Sequence, residues 1–487
     1  MSLPTILESS TPVPSTIIGY VSVRSQGGAS LFETDDASDS EAFYGSESDH
    51  REASRAIGAA GLEVLAESRI GIAVAGRPEA FAELTGGDVV ARERLMRTRS
   101  GRVEYVTHLD IVGDRQPDAL GVAVPGSDSA GIEGVVLERP RAPQAIFPAP
   151  LPPTVARFHI RVPDDVSTIL GAAEAHRRGL VGGGVTVAMV DSGQFLHPFF
   201  AAHRYNVHPA VAIVPGTSPS IDPHGHGTGE SANIFAVAPG VELRPYRASN
   251  SKGQLVGALA AFVRAKSDRP DVLTNSWGGD GPFPPQGPPN PADNALVAEI
   301  RDAIANNVIV VFSAGNGHFS VEPQVPGVIA AGGVFASAGF DLQASTYSSG
   351  YRSPWFGGVQ VPTVSGLVGM LPRASYIMLP VPPGCPIDVE RAVAGSGDPA
   401  DGTISRDGWA LFSGTSAAAP QIAGACAVLR GVKRGATPAA VATALSSTAV
   451  DVRAGACHPR FNNAATAGRD AATGFGLIDV SAAARVI

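Results

Sequence analysis

The most regular pattern in the chain begins after residue 160. Short strand-like runs recur at "VTVAMV" (185–190), "VELRPYRA" (241–248), "DVLTNSW" (271–277), "VIVVFSAG" (308–315) and "GVIAAGGV" (327–334). Stretches with helical spacing lie between them, among them "QLVGALAAFVRAKS" (254–267) and "DNALVAEIRDAIANN" (293–307). Apolar strands alternating with amphipathic helices predict an α/β domain, a doubly wound parallel sheet covered on both faces. In such sheets functional residues collect at the carboxyl ends of the strands.

The first part of the chain is patterned differently. Residues 53–86, "ASRAIGAAGLEVLAESRIGIAVAGRPEAFAELTG", read as a helix, the strand "IGIAVAG" and a second short helix. "GRVEYVTHLDIV" and "GIEGVVLE" add strand-like pieces. A smaller α+β domain is therefore expected over 1–138. Its acidic, serine-rich stretch 33–52, "ETDDASDSEAFYGSESDHRE", is expected to be a flexible loop. The prolines of "RPRAPQAIFPAPLPPTVARF" mark 139–160 as an extended linker. The main domain is then 161–487.

Composition adds limits. A chain of 487 residues exceeds one typical domain. Its net charge of -9 gives no basic footprint, so nucleic acid is not an expected partner. No apolar run approaches the roughly 18 residues of a membrane span. The opening "MSLPTILESSTPVPSTIIGYVSV" has no basic n-region and does not read as a secretory signal. A cytoplasmic start is expected, with export by another route left open. Cys385, Cys426 and Cys457 are too few for a disulfide framework. Either Cys385 pairs with Cys457 or all three are free thiols, and Cys426 reads as a small buried hydrophobe.

Each predicted strand runs into polar residues. "VTVAMV" leads to Asp191-Ser192-Gly193, and a carboxylate at the end of a buried strand must find donors or be neutralised. Asn316 follows "VIVVFSAG"; alone it is an ordinary turn former. Gly414-Thr415-Ser416 precede a long helix of small residues. A serine there is ordinarily a cap. Its hydroxyl would also sit beside unpaired backbone N–H groups, donors that suit an oxyanion. "HGHGTGE" (224–230) supplies two histidines and a carboxylate. Taken together, Asp191, His226 and Ser416 follow the Asp–His–Ser chain order of the subtilisin triad.

The blocks "VAMVDSG", "GHGTGESANIFAVAPGVELRPYRA", "VIVVFSAGN", "FSGTSAAAPQIAG" and "TGFGLIDVSAA" stand in one order over roughly 165–485. In them the chain resembles the subtilisin-like serine proteases, the subtilases. The resemblance implies a subtilisin-type fold and peptide-bond hydrolysis through an acyl-enzyme on Ser416. It gives His226 the role of general base and acid, Asp191 that of orienting it, and Asn316 that of an oxyanion donor. It implies a protein or peptide substrate and a mechanism that needs no cofactor and no metal. The family often has calcium sites, but no calcium-loop pattern is read in this sequence, so none is expected. Ser276, Trp277 and Gly278 would pair with an extended substrate, and Ser313, Ala314 and Gly315 would wall a small, uncharged, tolerant first pocket. The proline-rich "GDGPFPPQGPPNP" (279–291) looks like an insertion beside the cleft, either restricting entry or merely a loop.

The family's His-Gly-Thr pattern selects His226 over His224, which is expected to be exposed at the cleft rim. Gly229, Ala417 and Gln421 depart from positions where the family often has His, Met and His. The N-terminal domain stands where many subtilases carry an inhibitory propeptide that also assists folding. Self-cleavage within 138–165 is the expectation, and a permanent accessory domain is the alternative. Two other functions remain open: a peptide ligase or macrocyclase using the same acyl-enzyme, and a non-catalytic pseudoprotease that only binds. An α/β-hydrolase esterase is disfavoured by the triad order. Glu230 shares a helix face with His226. Either it faces the imidazole and raises its pKa, or it is a helix-surface carboxylate; the surface position is expected.

Overall fold

The computed structural model describes residues 6–97, 103–113, 119–124, 131–143, 159–370, 377–392 and 405–487. The N-terminal part is built on β1 (Ile17–Val23), a strand buried along its whole length. After it come α1 (Glu47–Ala59), β2 (Glu63–Glu67), β3 (Gly71–Gly76) and α2 (Pro78–Thr85). The antiparallel pair β4 (Asp88–Arg97) and β5 (Val103–Val112) follows, then β6 (Ile132–Leu137). β2, β3, β1, β6 and Val122–Ala123 form one five-stranded antiparallel sheet.

Side chains alternate across β1, so its two faces meet different partners. Ile17, Val21 and Val23 pack with Ala53 and Ile57 of α1 and Phe81 of α2. Ile18 and Tyr20 belong instead to a core shared with the main domain. This double burial explains why β1 lacks an apolar–polar alternation.

Two expectations for this domain need correction. A strand, β2, lies between the first helix and "IGIAVAG"; it is a sheet edge whose Glu63, Val64 and Glu67 are exposed, so no apolar run announced it. The acidic stretch 33–52 is also not a free loop. α1 begins inside it at Glu47, with Ser46 Oγ accepting from the Asp49 N–H at 3.1 Å. Upstream, main-chain carbonyls of Leu31 and Thr34 accept from Asn294, and that of Ser38 accepts from Arg301. Acidity alone suggested solvation; the capping serine and the partner helix decided otherwise.

The chain then passes through β7 (Ala142–Pro143) into the main domain. That domain contains β8 (Thr186–Asp191), α3 (His226–Val237), β9 (Glu242–Arg247), α4 (Ala258–Ser267), β10 (Val272–Asn275) and β11 (Trp277–Gly278). It continues with α5 (Pro291–Ala305), β12 (Ile309–Ser313), β13 (Ile329–Ala336), β14 (Val364–Val368) and α6 (Thr415–Val432). β9, β8, β10, β12 and β13 lie side by side and parallel. β14 adds to β13 in parallel, and Leu342–Ala344 adds antiparallel.

The sheet is covered on both faces. Val187 and Met189 of β8 join a core with α3 and α6, while Ala188 and Val190 join the core formed with α4 and α5. The sheet is thus doubly wound, and the N-terminal sheet packs on the α4–α5 face. Cys385, Cys426 and Cys457 are all free and buried, so the Cys385–Cys457 pair is not formed. Among the described residues no helix is long and apolar enough to cross a membrane.

Candidate active site

The carboxyl ends of β8, β10 and β12 bring together residues far apart in sequence. Asp191 ends β8, His226 begins α3, Asn316 follows β12, and Ser416 is the second residue of α6. All four are buried. Asp191 Oδ1 lies 2.7 Å from His226 Nδ1 and accepts from the Ser192 N–H at 2.6 Å.

Local sequence explains how His226 reaches that position. Asp222 was not singled out from the sequence, yet its carboxylate organises the start of α3. Oδ1 accepts from Ser192 Oγ and from the N–H groups of His224 and Gly225. Oδ2 accepts from the N–H and hydroxyl of Thr228. Among them the Thr228 N–H is a first-turn donor that lacks an intrahelical partner, and the His224 and Gly225 N–H groups lie just ahead of the helix. The available signal was an Asp four residues before the histidine, at the distance from which a side chain can bind helix-start amides. Gly227 has a different reason: a Cβ there would stand 2.3 Å from the Gly193 carbonyl oxygen and 3.1 Å from Asp191 Cβ. The close approach of helix to strand end requires glycine after the histidine.

Asn316 is held from one side only. Its Oδ1 accepts from the Thr415 N–H at 2.8 Å and the Thr415 hydroxyl at 3.0 Å. Its Nδ2 is buried with no hydrogen-bond partner, an uncommon state for a buried donor. Gly414, at φ +100°, turns the chain from its strand into α6. Ser416 Oγ donates to the Ser276 carbonyl at 3.3 Å, and Ser276 Oγ donates to the Ser416 carbonyl at 2.9 Å. The Ser416–His226 hydrogen bond is not made in this structure, and His226 Nε2 has no hydrogen-bond partner.

Glu230 is not on a helix surface. All twelve residues of α3 are buried, so the helix has no solvent face for it. Its Oε1 lies 3.7 Å from His226 Nε2, and its Oε2 accepts from Asn233 Nδ2 at 2.9 Å. Burial pushes the Glu230 carboxyl up to about 7, against the opposing pull of His226 and Asn233. Burial alone would lower the His226 pKa. The charge and hydrogen bond of Asp191, with Glu230 and Asp222 adding, instead raise it above its ordinary value. His224 is likewise buried rather than exposed, with the 249–255 loop against it: a Cβ on Gly253 would sit 3.0 Å from His224 Cβ.

β11 is occupied. Gly278 pairs antiparallel with Ala142 and Trp277 with Pro143, so the end of the N-terminal part lies along it. Trp277 offers β7 its main chain, while its buried indole donates to the Val190 carbonyl at 2.9 Å. Ser313, Ala314 and Gly315 are buried beside the site. Gly315 is tied to Thr415 Oγ1 through its N–H and to the Ser349 N–H through its carbonyl. The departures from the family pattern also have local reasons. A Cβ at Gly229 would lie 2.5 Å from the Phe412 ring. Gln421 bonds the N–H and carbonyl of Leu367, tying α6 to β14. Ala417 is fully buried.

A profile of the Subtilase family matches residues 182–476. Subtilisin BL of Lederbergia lenta is 29% identical over 168 residues, 32% of this chain and 56% of that protein. The chain thus spans little more than half the length of that relative. Subtilisin E of Bacillus subtilis (strain 168) is 27% identical over 308 residues, 59% of this chain and 66% of that protein. Among solved structures, fervidolysin from Fervidobacterium pennivorans, described as a keratinolytic enzyme related to subtilisin, aligns with a TM-score of 0.57 at 18% identity. The alignment covers 96% of this chain and 61% of that one, and at such identity it bears on the fold alone.

Proposed function

The chain belongs to the subtilase family, and on that premise we propose that it is a serine endopeptidase. Ser416 Oγ attacks a peptide carbonyl. His226 takes the serine proton and returns it to the leaving amine, while Asp191 fixes the imidazole tautomer and stabilises the imidazolium. The Asn316 amide and the Ser416 N–H donate to the tetrahedral oxyanion. Closing the gap between Ser416 and His226 falls to the substrate complex, in which catalytic hydrogen bonds commonly tighten.

The observation that carries this reading is the His226–Asp191 contact of 2.7 Å beside a helix-start serine and an amide donor with no partner. Labelling with a serine-reactive phosphonate tests it. Wild type is expected to be labelled and Ser416→Ala is not; label retained by the variant refutes the nucleophile.

The N-terminal domain is read as an intramolecular inhibitor and folding aid. Its support is β7, laid on β11 as an added strand in the manner of an extended substrate. Self-cleavage is assigned to 138–165, of which 144–158 lie outside the described residues. An active preparation that runs as one intact chain on a denaturing gel overturns this.

A further inference from the structure

Beside β11 lies a pocket whose main-domain wall carries carboxylates that the mechanism leaves unused. Glu322 is fully buried; its Oε1 accepts from the Gly279 N–H at 3.3 Å and its Oε2 has no partner. Asp293, on α5, stands across the same cavity of about 310 Å³. Both carboxylates belong to the main domain, but their cations come from the other end of the chain. Arg141 Nη1 meets Glu322 Oε1, and its Nη2 is 3.9 Å from Asp293 Oδ1. Its guanidinium sits 5.9 Å from the Trp277 ring centroid. Arg139 Nη1 lies 2.7 Å from the same Asp293 oxygen.

The backbone shows what Arg141 stands in for. Arg141 bridges Leu255, and the next two residues pair with Gly278 and Trp277. Ser276 is the neighbour that exchanges hydrogen bonds with Ser416. A substrate in this register therefore places the residue opposite Ser276 at the nucleophile. The counterpart of Arg141 comes three residues before it, the fourth residue upstream of the cleaved bond.

We propose that Glu322 and Asp293 form a subsite for an arginine side chain, and that the enzyme favours substrates with arginine at that fourth position. This rests on the serine-protease reading. The physical argument is the isolation of Glu322. A buried carboxylate without a counter-ion is costly. Among the described residues its paired cation is Arg141, and with the tail gone the place is open to a substrate's cation. Arginine suits it better than lysine, because a planar fork can reach two carboxylates while staying within cation–π distance of the Trp277 ring.

The test uses the full chain as produced and peptides identical except at the fourth position, which is arginine, lysine, citrulline, alanine or glutamate. Mass spectrometry fixes the cleaved bond. Arginine is expected to exceed its neutral isostere citrulline by about tenfold or more in kcat/KM, the scale of a lost charged hydrogen bond. Glu322→Gln is expected to bring the two within roughly threefold, as that interaction is removed. Equal rates for arginine and citrulline in a preparation that takes the phosphonate label overturn the acidic subsite and leave the protease reading standing. No label and no cleavage of any peptide overturn both. The wild-type comparison stands by itself if Glu322→Gln fails to fold, and an undiminished arginine preference in a folded Glu322→Gln overturns the role of Glu322.

Discussion

His226 Nε2 lies 3.7 Å from Glu230 Oε1, and both side chains are fully buried. Asp191 holds the other ring nitrogen at 2.7 Å, so the imidazole sits between two carboxylates. In the proposed mechanism Nε2 is the nitrogen that receives the serine proton, and Glu230 stands beside it. Its negative charge favours the imidazolium, which cannot act as a base. Glu230→Gln keeps the shape and removes the charge, so the His226 pKa falls. The acidic limb of the kcat/KM profile is expected to move to lower pH by roughly half a unit to one unit, because Glu230 is itself only partly ionised in that range. A limb that stays in place shows that the carboxylate does not act on the base.

The same residue makes a stability prediction. The Glu230 carboxyl is raised from 4.5 to about 7 by burial, so the fold prefers its neutral form. A raised pKa means that this stability is present below about 4.5 and is lost as the pH rises through 7. The linked change reaches roughly 3 kcal/mol above that range. Glu230→Gln has no such penalty. Urea unfolding is expected to favour the variant over wild type at pH 8 and to show little difference at pH 4.5.

Asn316 has its acceptor fixed by Thr415 and its donor free. Asn316→Ala should therefore act on the chemical step more than on binding. A fall in kcat of about 100- to 1000-fold with little change in KM is expected from steady-state kinetics. A loss confined to KM would place Asn316 in substrate binding instead.

Much of this site was legible because its parts sit where sequence has strong local rules. Asp191 and Asn316 each follow a strand-like run, Ser416 stands at the start of a helix of small residues, and chain order tied them to His226. Glu230 was misjudged because helical spacing gives a face but not what covers it; small residues let α3 sink between its neighbours on all sides. The role of Asp222 depends on amides folded back upon it, which no pattern of polar residues displays. Arg141 and Glu322 stand 181 positions apart and meet only once the N-terminal part docks. The runs of β8, β10, β12 and β13 were readable from burial on both faces, whereas the exposed edge strand β2 was not.

Gly227 offers a test of the close approach between α3 and β8. In Gly227→Ala the new methyl meets the Gly193 backbone carbonyl and the Cβ of the Asp191 side chain, both already committed to the site. Overpacking of this kind costs about 1–3 kcal/mol. The expected result is that loss in denaturant unfolding, with a larger fall in kcat than in stability-matched variants elsewhere, because His226 is displaced from Asp191. Full activity in Gly227→Ala would mean that the helix can retreat without disturbing the pair.

The joint between the domains is polar at its centre. Lys266 of α4 is paired with Glu299 and Asp302 of α5, and all three are buried. The N-terminal domain supplies Tyr20 and Ser68 to Glu299, and Tyr44 and Arg69 to Asp302. Lys266→Met leaves two buried carboxylates without their shared cation, a loss of about 3–5 kcal/mol at neutral pH. Burial would raise the Asp302 pKa, but the charge and hydrogen bond of Lys266 prevail and lower it from 3.8. A lowered pKa gives stability that is present above the unfolded value and lost as the pH falls through the folded one. The deficit of Lys266→Met is therefore expected to be full at pH 7 and to shrink below about pH 4, where protonation of Asp302 removes its need for the cation. Tyr20→Phe, which deletes only the 2.6 Å hydrogen bond to Glu299, should cost less, about 1–2 kcal/mol. Guanidinium unfolding of the full chain at both pH values measures this. A Lys266→Met deficit independent of pH would mean that lost packing of the lysine stem, rather than its charge, holds the joint.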